Sequence, residues 1–292
     1  MIILTQSEAT NYQLLDSGNG KKLEKIGTNT IVRPDSNCTW KQKLDPDQWS
    51  KATAYFGKTT GWKKQPSFKE PWLFTYQHPV TKKSIVCDLR LGQSKSIGVF
   101  PEQSAHWNWM SEIIGREKIA SPQVLNLFGY TGMASLVAAA AGAEVCHIDS
   151  SQAALNWARH NQELSKLTEM PIRWIAEDAI KFLTREIKRG KMYDGLIMDP
   201  PAFGRDQKGK VFEFEKHVHE LLSLCQKVLN PEPLFLIFNG YSMGYSATVL
   251  KNILLDYFPD FKIEFGELQL QEAGRNNRRN LPCSLFARFS SK

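Results

Sequence analysis

From about residue 103 onward, two hydrophobic periods alternate along the chain. Short, largely apolar runs at 124–128, 144–148, 172–175, 195–198 and 234–238 have the length and β-branched content of buried strands. Between them apolar residues recur every three to four positions, which predicts helices over 103–114, 133–141, 151–165, 179–188, 213–229 and 247–257. Gly142 is placed to stop the second of these. A final pair of alternating segments, 261–271 and 284–289, predicts a closing hairpin. Regular β/α alternation of this kind predicts an α/β fold with a doubly wound parallel sheet and one antiparallel edge.

Residues 1–95 read differently. Turn clusters such as Asp16-Ser-Gly-Asn-Gly20 separate short strand-like pieces, among them 30–34, and 73–76 with 84–90 flanking a 78–82 loop. The expected division is a small β-rich domain over 1–95 and a larger α/β domain over 96–292. The charge follows the same division. Residues 21–95 carry 15 Lys/Arg against 6 Asp/Glu, whereas 96–292 carry 22 of each. Nine aromatic residues, from Trp40 to Tyr76, are interleaved with these bases. Such interleaving suits phosphate contact with base stacking, or a small β core beneath a solvated basic face; the charge asymmetry favours a nucleic-acid partner. The 292-residue chain contains no apolar run of about 18 residues, so no membrane span is expected. Its start lacks the pattern of a secretory signal, and its five scattered Cys show no CxxC pair. No disulfide framework and no metal site are therefore expected, and cytoplasm is the expected compartment.

Two motifs carry the chemistry. Val124-Leu-Asn-Leu-Phe-Gly-Tyr-Thr-Gly132 reads as strand, tight turn and helix start, and His147-Ile-Asp149 ends the next strand. In a Rossmann-like unit Gly129 and Gly132 let backbone approach a ligand, and the helix N-terminus offers N–H groups to a carboxylate. Asp149 is placed to accept ribose hydroxyls and Asp178 an adenine amine; each also suits a helix N-cap. Gly129-x-x-Gly132 is not G-x-G-x-x-G, which disfavours a nicotinamide dinucleotide. The second motif, Asp199-Pro200-Pro201-Ala202-Phe203, follows an apolar strand. Its prolines stiffen the loop, so a carboxylate and bare carbonyls can be aimed at an exocyclic amine. Phe203 suits stacking on a flipped base, or the core.

Taken together, Asn126-Leu-Phe-Gly-Tyr-Thr-Gly132, Asp149-Ser150-Ser151, Asp178-Ala179 and Asp199-Pro-Pro-Ala-Phe203 resemble the class I S-adenosylmethionine-dependent methyltransferases of bacterial 23S rRNA, the cytosine-C5 and guanine-N7 family. The resemblance covers roughly 85–290. It implies a Rossmann-like methyltransferase sheet, S-adenosylmethionine as cofactor, rRNA as partner and no metal. It implies a cofactor site of Gln103, Asn126, Phe128, Gly129, Tyr130, Thr131, Gly132, Asp149, Ser150 and Asp178, with Phe100 near Gln103. It implies a catalytic loop of Asp199, Pro200, Pro201 and Phe203. Two departures matter. Phe128 and Tyr130 stand where many methyltransferases have Gly. The loop Phe238-Asn-Gly-Tyr-Ser242 lacks the Cys that attacks the ring in C5 methylation, which argues against that covalent mechanism. Asn239, Tyr241 and Ser242 are then substrate-pocket candidates. Arg275, in the basic loop 275–279, is a phosphate contact or part of a solvated hairpin tip. The competing readings are a methyltransferase for a protein or small molecule, and a non-catalytic RNA-binding protein on the same fold.

Overall fold

The computed structural model describes residues 1–116, 119–205, 211–241, 244–274 and 278–291. Strand β1 (Ile2–Thr5) comes first. A five-stranded sheet follows, of β2 (Tyr12–Gly18), β3 (Lys21–Ile26), β4 (Asn29–Pro34), β5 (Ala54–Gly57) and β6 (Gly61–Lys64), with short helix α1 (Pro46–Ser50) before β5. The hairpin β7 (Leu73–Gln77) and β8 (Ser84–Asp88) leads to helix α2 (Ser104–Arg116). The α/β part then runs β9 (Gln123–Leu127), α3 (Met133–Ala140), β10 (Glu144–Asp149), α4 (Gln152–Leu164), β11 (Ile172–Ala176), α5 (Ala179–Lys188) and β12 (Gly195–Met198). A two-stranded ribbon, β13 (Phe203–Arg205) with β14 (Val211–Glu213), precedes α6 (Phe214–Val228). The chain closes with β15 (Phe235–Gly240), α7 (Ala247–Leu255), β16 (Glu264–Gln271) and β17 (Asn280–Ser290).

The eight-stranded sheet has the order β1-β16-β17-β15-β12-β9-β10-β11. Its β15-β12-β9-β10-β11 part is parallel, and β17 inserts antiparallel between β15 and β16. This is the doubly wound sheet that the alternation predicts, the predicted elements shifting by a few residues at their ends, except that the antiparallel strand β17 lies inside the sheet and the edge beyond it is the parallel pair β16 and β1. The central strands are buried on both faces, as parallel strands between helices must be. Alternate residues feed two cores: Val124, Val145, Ile197 and Phe235 on one face, and Leu125, Cys146, Leu196 and Leu236 on the other.

Helix α3 is apolar all round, because the sheet covers one side and the β7–β8 hairpin with α2 covers the other. Its run of Ala allows both layers to approach. Phe74, Tyr76, Ile85 and Cys87 therefore share a core with Leu136, Val137 and Val124. β1 lies outside the five-stranded sheet that follows it, pairing in parallel with β16 at the edge of the large sheet. No hydrophobic periodicity marks that pairing, which depends on a partner more than 260 residues away.

The aromatic residues of 21–95 form a core rather than a stacking platform. Trp49, Phe68, Trp72, Phe74 and Tyr76 are buried, and Trp40, Tyr55, Phe56 and Trp62 are half-buried. All four indole N–H groups donate internally, to Ser17 O, Asp16 Oδ2, Ser94 O and Ile26 O. The lysines of this stretch, except half-buried Lys22, are exposed. The basic loop 275–279 is also corrected in part. Arg279 turns inward to Asp16 and Glu272 at 2.7 and 2.8 Å, and donates to Ser17 O and Lys41 O, clasping the five-stranded sheet to the β16–β17 hairpin. Arg275 and Ser242 lie outside the described residues.

Candidate active site

Strand β9 delivers the chain into the turn where the sequence leads one to expect the cofactor. Phe128 (φ 58°) and Tyr130 (φ 50°) both adopt the left-handed conformation, a strain of about 1–2 kcal/mol each for a residue with a Cβ. Where many methyltransferases carry Gly, this chain accepts that strain and gains two aromatic rings. Asp149 braces the turn: its Oδ2 accepts the Tyr130 N–H and its Oδ1 the Ser151 N–H, both at 2.8 Å. Each oxygen keeps a lone pair, as two vicinal hydroxyls require. Burial raises the Asp149 pKa, and the two N–H donors oppose the rise. The helix cap is Ser151, so Asp149 serves the turn rather than capping α4.

The glycines also meet a packing constraint that the sequence does not reveal. A Cβ on Gly129 would lie 2.3 Å from the His147 ring, and one on Gly132 (φ 86°) 2.9 Å from Ala158 and Trp174. Both are needed for packing beneath the turn, and Gly132 also for its left-handed backbone. His147, pushed down to about 3 by burial, stays neutral there and faces the Ser135 hydroxyl, which also accepts from Asn126.

Three adjoining spaces meet at this turn. The first, about 240 Å³, is lined by Asp149, Ser150, Asp178, Ala179, Pro201 and Phe212. It offers an acid for hydroxyls and an apolar slot for a planar ring. Asp178 lines it while capping α5 through the Lys181 N–H at 3.0 Å, so the two sequence readings of Asp178 are compatible. The second, about 70 Å³, is lined by Phe100, Gln103, Asn126, Gly129, Tyr130, Thr131, Met133 and Asn239. The N-terminus of α3 opens there with Gly132 as its cap and no side-chain acceptor, leaving first-turn N–H groups for an anion. Thr131 lends shape more than donors, since its hydroxyl is given to Gly98 O at 2.5 Å. The third is a cleft of about 580 Å³ between the five-stranded sheet and the α/β part. Lys22, Arg33, Asn37 and Lys95 line one wall, and Glu102, Pro200, Pro201, Tyr241 and Cys283 the other.

Phe128 and Asp199 line all three spaces. Asp199 follows β12 and accepts from Gln103 Nε2 at 3.3 Å; the same nitrogen is 3.2 Å from the Tyr241 hydroxyl. Tyr241 donates to Glu102 Oε1 at 3.0 Å, and Asn239 Nδ2 donates to Gln103 Oε1 at 3.2 Å. Burial, with the neighbouring Glu102 carboxylate adding to it, raises the Asp199 pKa to about 7. Burial likewise raises Glu102. Phe100 leans on Tyr130 and Tyr241, completing an aromatic rim. Phe203 is 60% exposed on β13, which removes the core alternative and leaves its ring at the surface beyond the loop.

The structure thus gathers Gln103, Asn126, Phe128–Thr131, Asp149, Ser150, Asp178, Asp199–Pro201, Asn239 and Tyr241 around one junction, with Gly132 packed beneath it against Ala158 and Trp174. Glu102, Lys22, Arg33 and Cys283 were not legible as site residues. Glu102 adjoins Gln103 and carries a signal in that position; the other three reach the cleft only through the packing of the five-stranded sheet and β17. No helix is long and apolar enough to cross a membrane, and no cluster of metal-ligating side chains occurs, among the described residues.

The donor set fits S-adenosylmethionine: an acid for ribose hydroxyls, a slot for a ring, and an uncapped helix start for a carboxylate. Comparison with known proteins points the same way. Residues 71–246 match the family model of S-adenosylmethionine-dependent methyltransferases. A solved methyltransferase of that dependence from Agrobacterium tumefaciens is 38% identical with a TM-score of 0.91, covering 100% of this chain and 94% of its own. Ribosomal RNA large subunit methyltransferase K/L of Desulfotalea psychrophila is 34% identical over 147 residues, 50% of this chain and 19% of the relative. Ribosomal RNA large subunit methyltransferase I of Tolumonas auensis is 35% identical over 118 residues, 40% of this chain and 30% of the relative. The chain thus spans under a third of the length of these two curated relatives. By the matched model, the near-complete overlap with the Agrobacterium structure and the site itself, the chain belongs to the family of S-adenosylmethionine-dependent methyltransferases.

Proposed function

We propose that the protein methylates RNA, with large-subunit ribosomal RNA as its substrate, in the cytoplasm. The observation that carries this reading is the cleft beside Asp199. It is wide enough for a nucleotide, is lined by Lys22, Arg33, Asp35, Asn37 and Lys95 on the outer wall, with Lys95 exposed while Lys22 and Arg33 are paired to acids, and adjoins both cofactor recesses at Phe128 and Asp199. The segment before residue 96 carries many exposed lysines, which suit contact with backbone phosphates. The rRNA-modifying relatives support the same reading. The domain over 1–95 acts in this proposal as a basic cap that closes over the substrate, and 96–292 as the catalytic domain.

S-adenosylmethionine supplies an electrophilic methyl group when bound. The protein contributes positioning and charge. Asp149 and Ser150 hold the ribose, Asp178 the adenine edge, and the start of α3 the amino-acid end. Asp199, as a carboxylate, accepts from the substrate amine or base edge. The Pro200–Pro201 corner fixes where that carboxylate sits, and Phe128, Phe203 and the Phe100–Tyr241 rim offer faces to a base. Asn239 and Tyr241 hold the amide of Gln103 against Asp199. No residue of the 238–242 loop offers a thiol, which favours direct transfer over covalent addition.

The test is transfer of labelled methyl from S-adenosylmethionine to RNA of a strain lacking the protein, beside a protein extract, with Asp199→Asn as control. Label is expected in RNA, absent in the variant, and weakened steeply by salt. Label in protein alone would overturn the RNA reading, and cofactor binding with no transfer to either would point to a small molecule.

A further inference from the structure

A chain of buried polar groups runs from the far side of β17 to Asp199, and its direction can be worked out. Arg288 on β17 is 6% exposed, held by Glu264 at 2.9 Å and stacked over Trp109 at 4.2 Å. Its Nη1 lies 3.2 Å from His106 Nδ1 on α2. A guanidinium only donates, so Nδ1 must be the bare nitrogen and Nε2 must carry the hydrogen. His106 is 1% exposed, and burial and the adjacent Arg288 charge hold its pKa well below the ordinary value, so the ring is neutral.

The carboxamide of Asn239, also 1% exposed, is close enough to act on that ring. His106 Nε2 and Asn239 Oδ1 are both buried and neither has a hydrogen-bond partner among the described residues, yet they are complementary, one a donor and one an acceptor. An amide's two ends are alike in shape, so only its partners decide which way it faces. Here Asn239 gives Nδ2 to Gln103 Oε1, 3.2 Å away, which leaves the unpartnered Oδ1 as the atom available to His106. Gln103 is then forced to present Nε2 to Asp199 and to Tyr241, which passes its own hydrogen to Glu102.

We propose that His106 and Asn239 are positioning residues, which transmit the fixed donor polarity of Arg288 through Gln103 so that Asp199 always meets an N–H and is kept as an acceptor. None of the three residues behind Gln103 need touch substrate. The arrangement opposes the two influences that favour the acid form, burial and the Glu102 carboxylate. The remaining charged or titratable groups near this point are Tyr241, Lys22 and Arg33, which act on Glu102, and Cys283, which acts on Tyr241. The inference rests on Asp199 being the substrate acceptor, and its test does not depend on turnover.

The test is the carboxyl titration of Asp199 by carbon-13 NMR in the full-length protein, with nitrogen-15 shifts of the His106 ring. The wild-type ring is expected to be protonated at Nε2. His106→Leu and Asn239→Ala break the chain at two links without adding charge; either should raise the Asp199 midpoint by about one pH unit, tenfold in its ionisation constant. His106→Gln, whose amide can accept from Arg288 and donate to Asn239, should restore the wild-type midpoint. A ring protonated at Nδ1, or a midpoint unmoved in whichever of the two breaking variants folds, would overturn the proposal. A moved midpoint together with undiminished methyl transfer by Asp199→Asn would instead overturn the role of Asp199.

Discussion

Two acids stand at the cleft, Glu24 fully buried behind one wall and Asp199 half-buried in the lining of the other, and the fold treats them in opposite ways. Glu24, on the side of the five-stranded sheet, would be raised by burial alone. Arg33 grips it from two nitrogens at 2.6 and 2.7 Å, Lys22 lies 3.7 Å away and the Tyr12 hydroxyl donates at 2.9 Å. These partners outweigh burial and bring its pKa to about 2. Asp199, on the other side, has one neutral amide at 3.3 Å, a second carboxylate nearby and no cation among the described residues, and it rises to about 7. A charge satisfied from within is structural, whereas one left exposed to burial and like charge is held in readiness for a ligand. On the proposed roles, the opposite walls of one cleft divide the labour: the five-stranded sheet fixes its shape and the loop after β12 supplies the reactive carboxylate.

That contrast can be broken at either end. Glu24→Gln removes the counter-charge and leaves Arg33 buried and unpaired, so urea unfolding at pH 7 should show a loss of about 3–5 kcal/mol. Because the folded pKa of Glu24 lies below its unfolded value, the stability it contributes is present above about pH 4.5 and is lost as pH falls toward 2. A loss under about 1 kcal/mol would mean that the pair is ornamental. Asp199→Asn should act in the reverse sense. Methyl transfer should fall about 10²–10³-fold, while the melting temperature at pH 8 should rise, since a desolvated charge is replaced by a neutral amide. The folded pKa of Asp199 lies above its unfolded value, so its charge weakens the fold progressively from about pH 4 to pH 7. The gain in Tm should accordingly shrink as pH is lowered toward 4. Wild-type transfer should climb with pH through about 7 and then level. A variant that is both inactive and less stable at pH 8 would contradict the contrast.

Asp149 lies between these extremes, raised by burial yet braced by two N–H donors. Asp149→Ala removes two hydrogen bonds to ribose, each worth about 1.5–3 kcal/mol when charge-assisted, so sinefungin affinity by calorimetry should fall about 10²–10⁴-fold. Glycine substitution of Phe128 or Tyr130 would probe the same turn from its strained side, relieving a positive φ while removing a ring.

How much of this was legible from residues alone follows from the range of the interactions. The sheet and its helices were readable because local periodicity dictates them, and the Gly turn, Asp149 and Asp199 because strand ends place them. Asp149 and Asp199 were therefore locatable without knowing what they touch. The aromatic residues of 40–76 were readable as apolar mass, yet whether they stack on a ligand or on one another depends on long-range packing, and every indole N–H turned out to be used internally. Arg279 misled for the same reason: it sits in a basic run, and only the fold brings Asp16 and Glu272 to it. The pairing of β1 with β16 and the arrival of Cys283 at the cleft are likewise products of topology.

Cys283 gives the mildest test and the sharpest chemical one. It is half-buried on β17 and lines the cleft wall with Tyr241 and Glu102, so a thiol does face the substrate space even though the 238–242 loop has none. Burial first, and the Glu102 carboxylate after it, push its pKa well above the ordinary range. A nucleophilic Cys is a thiolate set in an electropositive surrounding, which is the reverse of this environment. Direct transfer then predicts that Cys283→Ser keeps methyl transfer within about twofold of wild type, the small change expected where a residue only lines a wall. A fall of about 10³-fold or more, accompanied by a denaturation-resistant adduct with RNA containing 5-fluorocytosine, would make Cys283 the attacking group and restore the covalent C5 route.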